Sequence, residues 1–473
     1  MSDLATGPGG KAPAPGQPVH AEPRPAPRVP APPRRALLLL VVGLAGFVTT
    51  LDNTVVTVAL PTIQTELRAS LATLEWVVTG YVLTFSGLML AGGRLADVYG
   101  RRRVLLAGLA VFTAASLAAG LATSAGALVA ARLVQGCGAA LILPAMLAVV
   151  SVGNDDRRRS VGVAVWMASG AGALALGPVV GGYLAQHAHW SWVFLLNVPL
   201  GAVVIVLAAV AVPESRDETA ARVDVPGVVA SVVVLSAGTF GLTFGAELGW
   251  TSPVILVALA VSAVAAAVFV AVERFGRDPM VDLELFRARA FTGGVAAQVL
   301  WGLGVNGVFF FTALFLQGVL GFSPTASGLA FVPLALLVVV VTPLVPAVES
   351  RLGAGRTVAL GLVLVAAGMA AVAFLRPGDG WAELLPAVCV IGIGSALTMP
   401  LGSAVLGAVP QARAGVAGGV FSVAREVSGL FGIAVIGVIV NSSASFTAGY
   451  STGLLTAAGL VAVGAAVSLV TLR

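Results

Sequence analysis

An all-α integral membrane fold of fourteen transmembrane helices, ordered six, two and six, is predicted by three observations. The first is composition. Of 473 residues, 58% are hydrophobic and 10% charged, whereas soluble domains carry about 25% charged residues. The second is recurrence. A helix of roughly 20 apolar residues crosses a bilayer, and apolar segments of that length fall at 36–60, 71–93, 104–122, 126–150, 161–185, 192–212, 225–246 and 252–272. Six more follow at 291–316, 327–347, 357–375, 382–406, 416–440 and 451–472. The third is an internal repeat. Gly136, Gly138 and Pro144 recur as Gly392, Gly394 and Pro400, and Ala140-Leu141, Arg157 and Gly162 recur at the same offset as Ala396-Leu397, Arg413 and Gly418. That offset relates span 4 to span 12, a displacement of eight spans that preserves direction, as two parallel six-span halves with two extra spans between them require.

Residues 1–35 are rich in Pro, Ala and Gly, a composition that cannot bury a core, and are read as a disordered cytoplasmic tail. The segment behind Arg34-Arg35 is longer than a signal-peptide core and is taken as span 1. The expected division is then 36–213 for an N-terminal six-helix bundle, 214–290 for the two extra spans with their linkers, and 291–473 for a C-terminal six-helix bundle. Of the 26 Lys and Arg residues, all but four fall in the tails or in the loops of one side. The exceptions are Arg68 and Arg376, in opposite loops, and Arg132 and Arg425, inside spans 4 and 13. Basic loops stay cytoplasmic, so both termini are expected in the cytoplasm.

Asp52 is the only ionisable side chain between Ala36 and Leu60. An ionised Asp in mid-membrane costs ~2.5–3.5 kcal/mol even on lenient scales, so such residues mark ion or substrate paths, and desolvation disfavours the charged form of a carboxyl group. Asp52 is therefore expected to take up and release a proton during a transport cycle. Counting 1.5 Å per residue places Asp52 and Arg132 both in the outer half of a core ~30 Å thick. The two are expected to pair, or to exchange partners when Asp52 is protonated. The other reading of Asp52 is an acid tied permanently to a buried Arg.

Other chemistry is excluded or unsupported. Lys11 is the only lysine, and the P-loop positions around it hold Ala5 and Ala12, so the Gly-x4-Gly-Lys-Ser/Thr phosphate cradle is absent. The chain has no ATPase motif of its own, implies no ATPase subunit, and must draw on an ion gradient. Cys137 and Cys389 lie in apolar runs with no metal-ligand spacing. No nucleophile–base cluster supports catalysis, no cofactor is implied beyond the proton as coupling ion, and the basic balance belongs to helix-orienting loops rather than to nucleic-acid binding. The expected partners are a small-molecule substrate and the lipid bilayer.

At this point the chain resembles a known family. GGRLADVYGRRRVLL (92–106) resembles the signature loop of the major facilitator superfamily, ARLVQGCGAA (131–140) its span 4 motif, and LGPVVGG (176–182) the span 5 motif associated with antiporters. LDNTVVTVALP (51–61), HWSWVFLLNVPLG (189–201), FLQGVLGFSPTASGL (315–329) and REVSGLFGIAVIG (425–437) are similar to the fourteen-span drug:proton antiporter branch, the EmrB/QacA type. The resemblance implies proton-driven efflux of hydrophobic or amphipathic drugs or antibiotics across the cytoplasmic membrane of a bacterium. The alternatives are selective export of one endogenous metabolite or self-made antibiotic and, less favoured by the span 5 motif, solute:proton symport.

It also implies roles. Gly93, Asp97, Gly100 and Arg101 form a latch closing the inner face, while Gly177, Pro178, Gly181 and Gly182 form a tightly packed hinge. Arg425 and Glu426 in span 13 join Asp52 and Arg132 as candidates for proton coupling. Neighbours on a helix point about 100° apart, so Arg425 and Glu426 are expected not to pair, with one facing the central cavity. Glu426 departs from the neutral amide common there, as Thr57 departs from Asn. Thr57, Gln298, Trp301, Asn306 and Gln317 are candidate cavity residues. Trp190, Trp192 and Trp250 are expected at the membrane interface.

Overall fold

The computed structural model describes residues 32–151, 156–216, 224–276 and 281–472. Residues 1–31 of the expected tail, the loop arginines Arg222 and Arg277, and the side chains of Arg157 and Arg159 lie outside that description. Fourteen helices among the described residues are long and apolar enough to cross a membrane. Spans 1–7 are Arg35–Leu67, Leu71–Tyr99, Arg101–Gly120, Ala125–Val150, Ser160–His187, Trp192–Ala211 and Val225–Leu248. Spans 8–14 are Pro253–Phe275, Arg289–Gly318, Pro324–Leu352, Ala354–Val372, Trp381–Gly407, Ala414–Asn441 and Phe446–Thr471. The first helix begins at Pro32, inside the stretch read as a tail. Proline is well placed there because its missing N–H would have no intrahelical partner in a first turn.

Prolines decide where spans break. Span 10 is built of Pro324–Leu329, Val332–Val341, the 3-10 turn Thr342–Leu344 and Val345–Leu352, with Pro333, Pro343 and Pro346 each removing a backbone donor near a joint. Span 12 is interrupted between Leu397 and Pro400. Pro61, Pro144 and Pro178 stay inside continuous helices, as membrane helices allow when neighbours satisfy the freed carbonyls.

In the first half, span 4 packs on spans 2 and 3, and span 1 on spans 5 and 6. In the second, span 12 packs on spans 10 and 11, and span 9 on spans 13 and 14. Spans 7 and 8 pair with each other, span 7 resting on spans 2 and 13, an arrangement consistent with six, two and six. The repeat is visible in the packing. A Cβ on Gly138 would strike the Gly108 carbonyl of span 3, and one on Gly394 the Gly361 carbonyl of span 11. Small residues at matching depths let the backbones of both helix pairs touch. Span 8 exposes Val257, Val261, Val264 and Val268, the apolar surface that a helix facing lipid presents.

Spans 2 and 13 pack against each other across the two halves, and the hydrogen bonds between the halves gather toward one end. Gln317 Nε2 donates to the Val58 carbonyl (2.9 Å), Thr325 N to Gln186 Oε1 (3.1 Å) and Asn441 Nδ2 to Glu75 Oε1 (3.4 Å). All three lie toward the turn between spans 1 and 2, called here the turn end. The opposite end, with Arg101, Arg351 and Arg413, is the arginine-rich end.

Candidate functional site

Asp52 and Arg132 are both 0% exposed. Arg132 Nη1 lies 2.5 Å from Asp52 Oδ2. Gln135 Nε2 and Asn197 Nδ2 each donate to Asp52 Oδ1 at 2.7 Å. The carboxylate thus receives donors from spans 4 and 6. Arg132 also donates through Nε to the Val77 carbonyl (2.8 Å) and through Nη1 to Gln135 Oε1 (2.7 Å). Gln135 Nε2 donates in addition to Ser116 Oγ of span 3 (2.8 Å). The guanidinium sits over the Tyr81 ring, 4.5 Å from its centroid, and 5.7 Å from that of Phe194.

A buried pair survives desolvation only with good geometry and further hydrogen bonds to its remaining lone pairs, and the amides supply them. Arg132 Nη2 and Asn197 Oδ1 keep no hydrogen-bond partner. The pairing expected from sequence is therefore present, and in this conformation the site is sealed from solvent. Five of the six spans of the first half converge on it.

The loop after span 2 is held by charge. Asp97 accepts from Arg101 Nη2 at 2.7 Å. Gly100 adopts φ +109°, and a Cβ there would run into Glu214, whose Oε1 accepts the Arg102 backbone N–H at 3.2 Å. Arg102 Nη2 donates to the Ala209 carbonyl. Close helix approach occurs at Gly92, where a Cβ would meet the Ala140 carbonyl, whereas one on Gly93 would make only ordinary contact with Pro144 at 3.5 Å. In span 5, added Cβ atoms on Gly177 and Gly181 would collide with Thr54 and Val55 of span 1, and one on Gly182 with the Pro324 carbonyl of span 10. Reciprocally, one on Gly328 would strike the Pro178 carbonyl. These glycines bring span 5 against both halves at the turn end.

Residues 42–433 match the Major Facilitator Superfamily. The chain belongs to the Major Facilitator Superfamily. As a superfamily member it is a transporter rather than an enzyme. It is 35% identical over 413 residues to the "Multidrug resistance protein Stp" of Mycobacterium tuberculosis, covering 87% of this chain and 77% of that protein. It is 37% identical to the "Cephamycin export protein CmcT" of Amycolatopsis lactamdurans (86% and 85% covered) and 33% identical to the "Multidrug efflux pump LfrA" of Mycolicibacterium smegmatis (91% and 84% covered). These relatives are named for drug resistance, export and efflux. The fold also matches a crystal structure of a POT family transporter in complex with 5-aminolevulinic acid, with TM-score 0.71 and 13% identity over 93% of this chain and 96% of that one.

Within this major facilitator fold the second proposed coupling pair differs from expectation. Arg425 Nε and Nη2 donate to Glu426 Oε1 at 3.1 and 2.8 Å, so the adjacent residues do pair. The 100° between their Cα–Cβ directions is bridged by the length of the two side chains. The Glu426 charge reaches Tyr81, which places the pair on the side of span 13 facing the first half. Arg425 is 46% exposed and Glu426 18%.

The cavity candidates divide. Thr57 Oγ1 and Asn306 Nδ2 donate to carbonyls one turn back on their own helices. Trp301 Nε1 is buried without a partner, and so is Nε2 of Gln298, a residue that is 6% exposed. Gln317 fastens span 9 to span 1 toward the turn end. Trp190 is 2% exposed, its indole donating to Glu66 Oε2 at 2.8 Å. Between the ends of spans 5 and 6 it therefore faces protein rather than the surface. Among the described residues, no group of three or more His, Cys, Asp or Glu could hold a metal ion.

Sequence reasoning missed Gln135, Asn197 and Glu75. Gln135 was legible as the residue three after Arg132, on the same helix face. Asn197 stands alone in an apolar run, and only the fold turns it toward Asp52.

Proposed function

We propose that this chain exports hydrophobic or amphipathic small molecules, antibiotics included, in exchange for protons, by alternating access across the cytoplasmic membrane of a bacterium with both termini in the cytoplasm. Stp, CmcT and LfrA, named for multidrug resistance, cephamycin export and multidrug efflux, support the export half of this reading. The exchange half rests on one observation, the buried Asp52–Arg132 pair. A carboxylate whose only cation is a guanidinium on another helix couples protonation to helix packing. When Asp52 takes a proton, the charge that Arg132 neutralises is gone, and the packing of spans 1, 4 and 6 no longer depends on that pair. With the turn end as the outer face, the conformation described is closed outside.

A charge crossing ~100 mV gains about 2.3 kcal/mol, which sustains roughly a 50-fold drug gradient at ~1.4 kcal/mol per factor of ten. Coupling requires that drug and proton stabilise different orientations of the cavity, and competition at or near Asp52 achieves that. In proteoliposomes, an imposed pH gradient drives drug in the direction opposite to the proton, and Asp52→Asn abolishes that response in a protein that still folds. Undiminished pumping by the variant rejects the assignment.

A second reading is a selective exporter of one antibiotic or metabolite. Its support is that relatives such as CmcT and the "Puromycin resistance protein pur8" of Streptomyces alboniger are named for single compounds. The susceptibility of a pump-deficient host to a panel of compounds separates broad from narrow export.

A further inference from the structure

We infer that Glu75 is a second proton-binding carboxyl group of the transport cycle, protonated while spans 2, 7 and 13 are packed together at the turn end and released when span 13 withdraws. The inference rests on the proton-exchange reading above and adds a site to it. Glu75 is 0% exposed in the first turns of span 2. Its Oε1 accepts from Asn441 Nδ2 of span 13 at 3.4 Å, and its Oε2 is buried with no hydrogen-bond partner.

Among the described residues no cation pairs with Glu75, and Arg132 of span 4, bonded to the Val77 carbonyl two residues along, is committed to Asp52. Thr243 of span 7 faces the carboxyl, itself 1% exposed and with an unpartnered hydroxyl. Glu247, also of span 7, is of like sign. On span 13 the nearest charged residues are Glu426 and Arg425, about 16 Å away along the helix at 1.5 Å per residue. A carboxylate with one oxygen undonated, no guanidinium and a second acid nearby is a poorly stabilised ion. The protonated carboxyl turns the orphan oxygen into a donor and removes the repulsion with Glu247.

Asp52 makes the contrast, since both its oxygens receive donors and one donor is cationic. Position makes Glu75 part of a moving joint. A Cβ on Gly437 would lie 2.4–2.7 Å from the Glu75 carboxyl atoms, so the group is pressed on the backbone of span 13, which belongs to the other half. Any rearrangement that opens the turn end parts Glu75 from Asn441 and Gly437 and admits water, in which the ionised form is stable.

The test uses the full chain in proteoliposomes. Infrared difference spectra between acidic and alkaline buffer are expected to show the carbonyl stretch of a protonated carboxylic acid, removed by Glu75→Gln, shifted by Glu75→Asp and retained in Asp52→Asn. In flux measurements under an imposed pH gradient, Glu75→Gln is expected to keep drug binding while the protons moved per drug fall by about one. If Glu75→Gln does not fold, the shift of the band in Glu75→Asp decides. A wild type insensitive to the gradient overturns the exchange reading and this inference with it. A sensitive wild type matched by Glu75→Gln in spectrum and proton count overturns this inference alone.

Discussion

Arg132 holds Asp52 with a single guanidinium nitrogen, Nη1 at 2.5 Å from Oδ2, while its Nε is committed to the Val77 carbonyl at 2.8 Å. The fork is divided between a carboxylate on span 1 and a backbone carbonyl on span 2, so one side chain of span 4 ties three helices together. Arg132→Lys keeps the charge and loses this division, because an ammonium is a compact donor without a planar fork. Breaking a buried pair outright costs about 3–5 kcal/mol. Lys is expected to lose a substantial part of that, read as a lower thermal midpoint in detergent, and to lose proton-driven flux. Wild-type melting and flux in Arg132→Lys would contradict the geometry.

Gln135 and Asn197 both donate to Asp52 Oδ1. Asn197→Ala removes one hydrogen bond to a charged group, worth ~1.5–3 kcal/mol. The expected result is a destabilised protein whose pH dependence of transport is displaced from that of wild type. An unchanged pH profile would show that this amide has no part in setting the charge of Asp52.

Span 5 touches span 10 backbone to backbone at Gly182 and Pro324. Gly182→Ala inserts a methyl group where none fits, and overpacking costs about 1–3 kcal/mol. The cost falls on the conformation closed at the turn end. A single cysteine placed at Gln186, beside Thr325 across the joint, is therefore expected to react faster with a membrane-impermeant thiol reagent in the Gly182→Ala background. Equal labelling rates would remove Gly182 from the closing contact.

Asp97 and Arg101 form an i,i+4 pair with side-chain exposures of 31% and 11%. Partly exposed pairs contribute about 0–1 kcal/mol to stability, so Asp97→Asn is expected to melt near wild type. If the pair belongs to a latch between conformations, flux falls several-fold all the same. A variant that melts and pumps like wild type reduces Asp97 to an orienting charge.

Glu426 pairs with its neighbour Arg425 on the side of span 13 facing the first half. Glu426→Gln leaves Arg425 partly solvated, so little stability is lost. The expected change is in substrate preference, with binding of cationic compounds weakened relative to neutral ones, measured by competition against a fluorescent drug. Parallel losses for both classes would place Glu426 in coupling rather than in recognition.

How much of the site was legible depended on chain separation. Asp52 and Arg132 are each the lone charge of an apolar span, and rarity alone singled them out. Their counterparts Gln135 and Asn197 are neutral amides, which membrane helices tolerate at low cost and which carry little signal. Glu75 stands four residues into an apolar segment, near enough to a helix end to pass for an interfacial charge. Only the packing of spans 7 and 13 over it removes it from water. Arg425 and Glu426 misled for the opposite reason, since the helical wheel specifies where side chains leave the backbone but not where long ones finish.

Composition and periodicity were enough to determine a fourteen-span helical membrane protein, its repeat, and the two charges that could not be there by default. Those features follow from transfer of side chains to lipid, a property each segment carries by itself. Which end gathers the hydrogen bonds between the halves, which amides complete the Asp52 site, and that Glu75 lies between two halves with no ion pair were decided by tertiary structure. Burial of a polar atom is a property of its neighbours, and here those neighbours lie up to 366 residues apart in sequence.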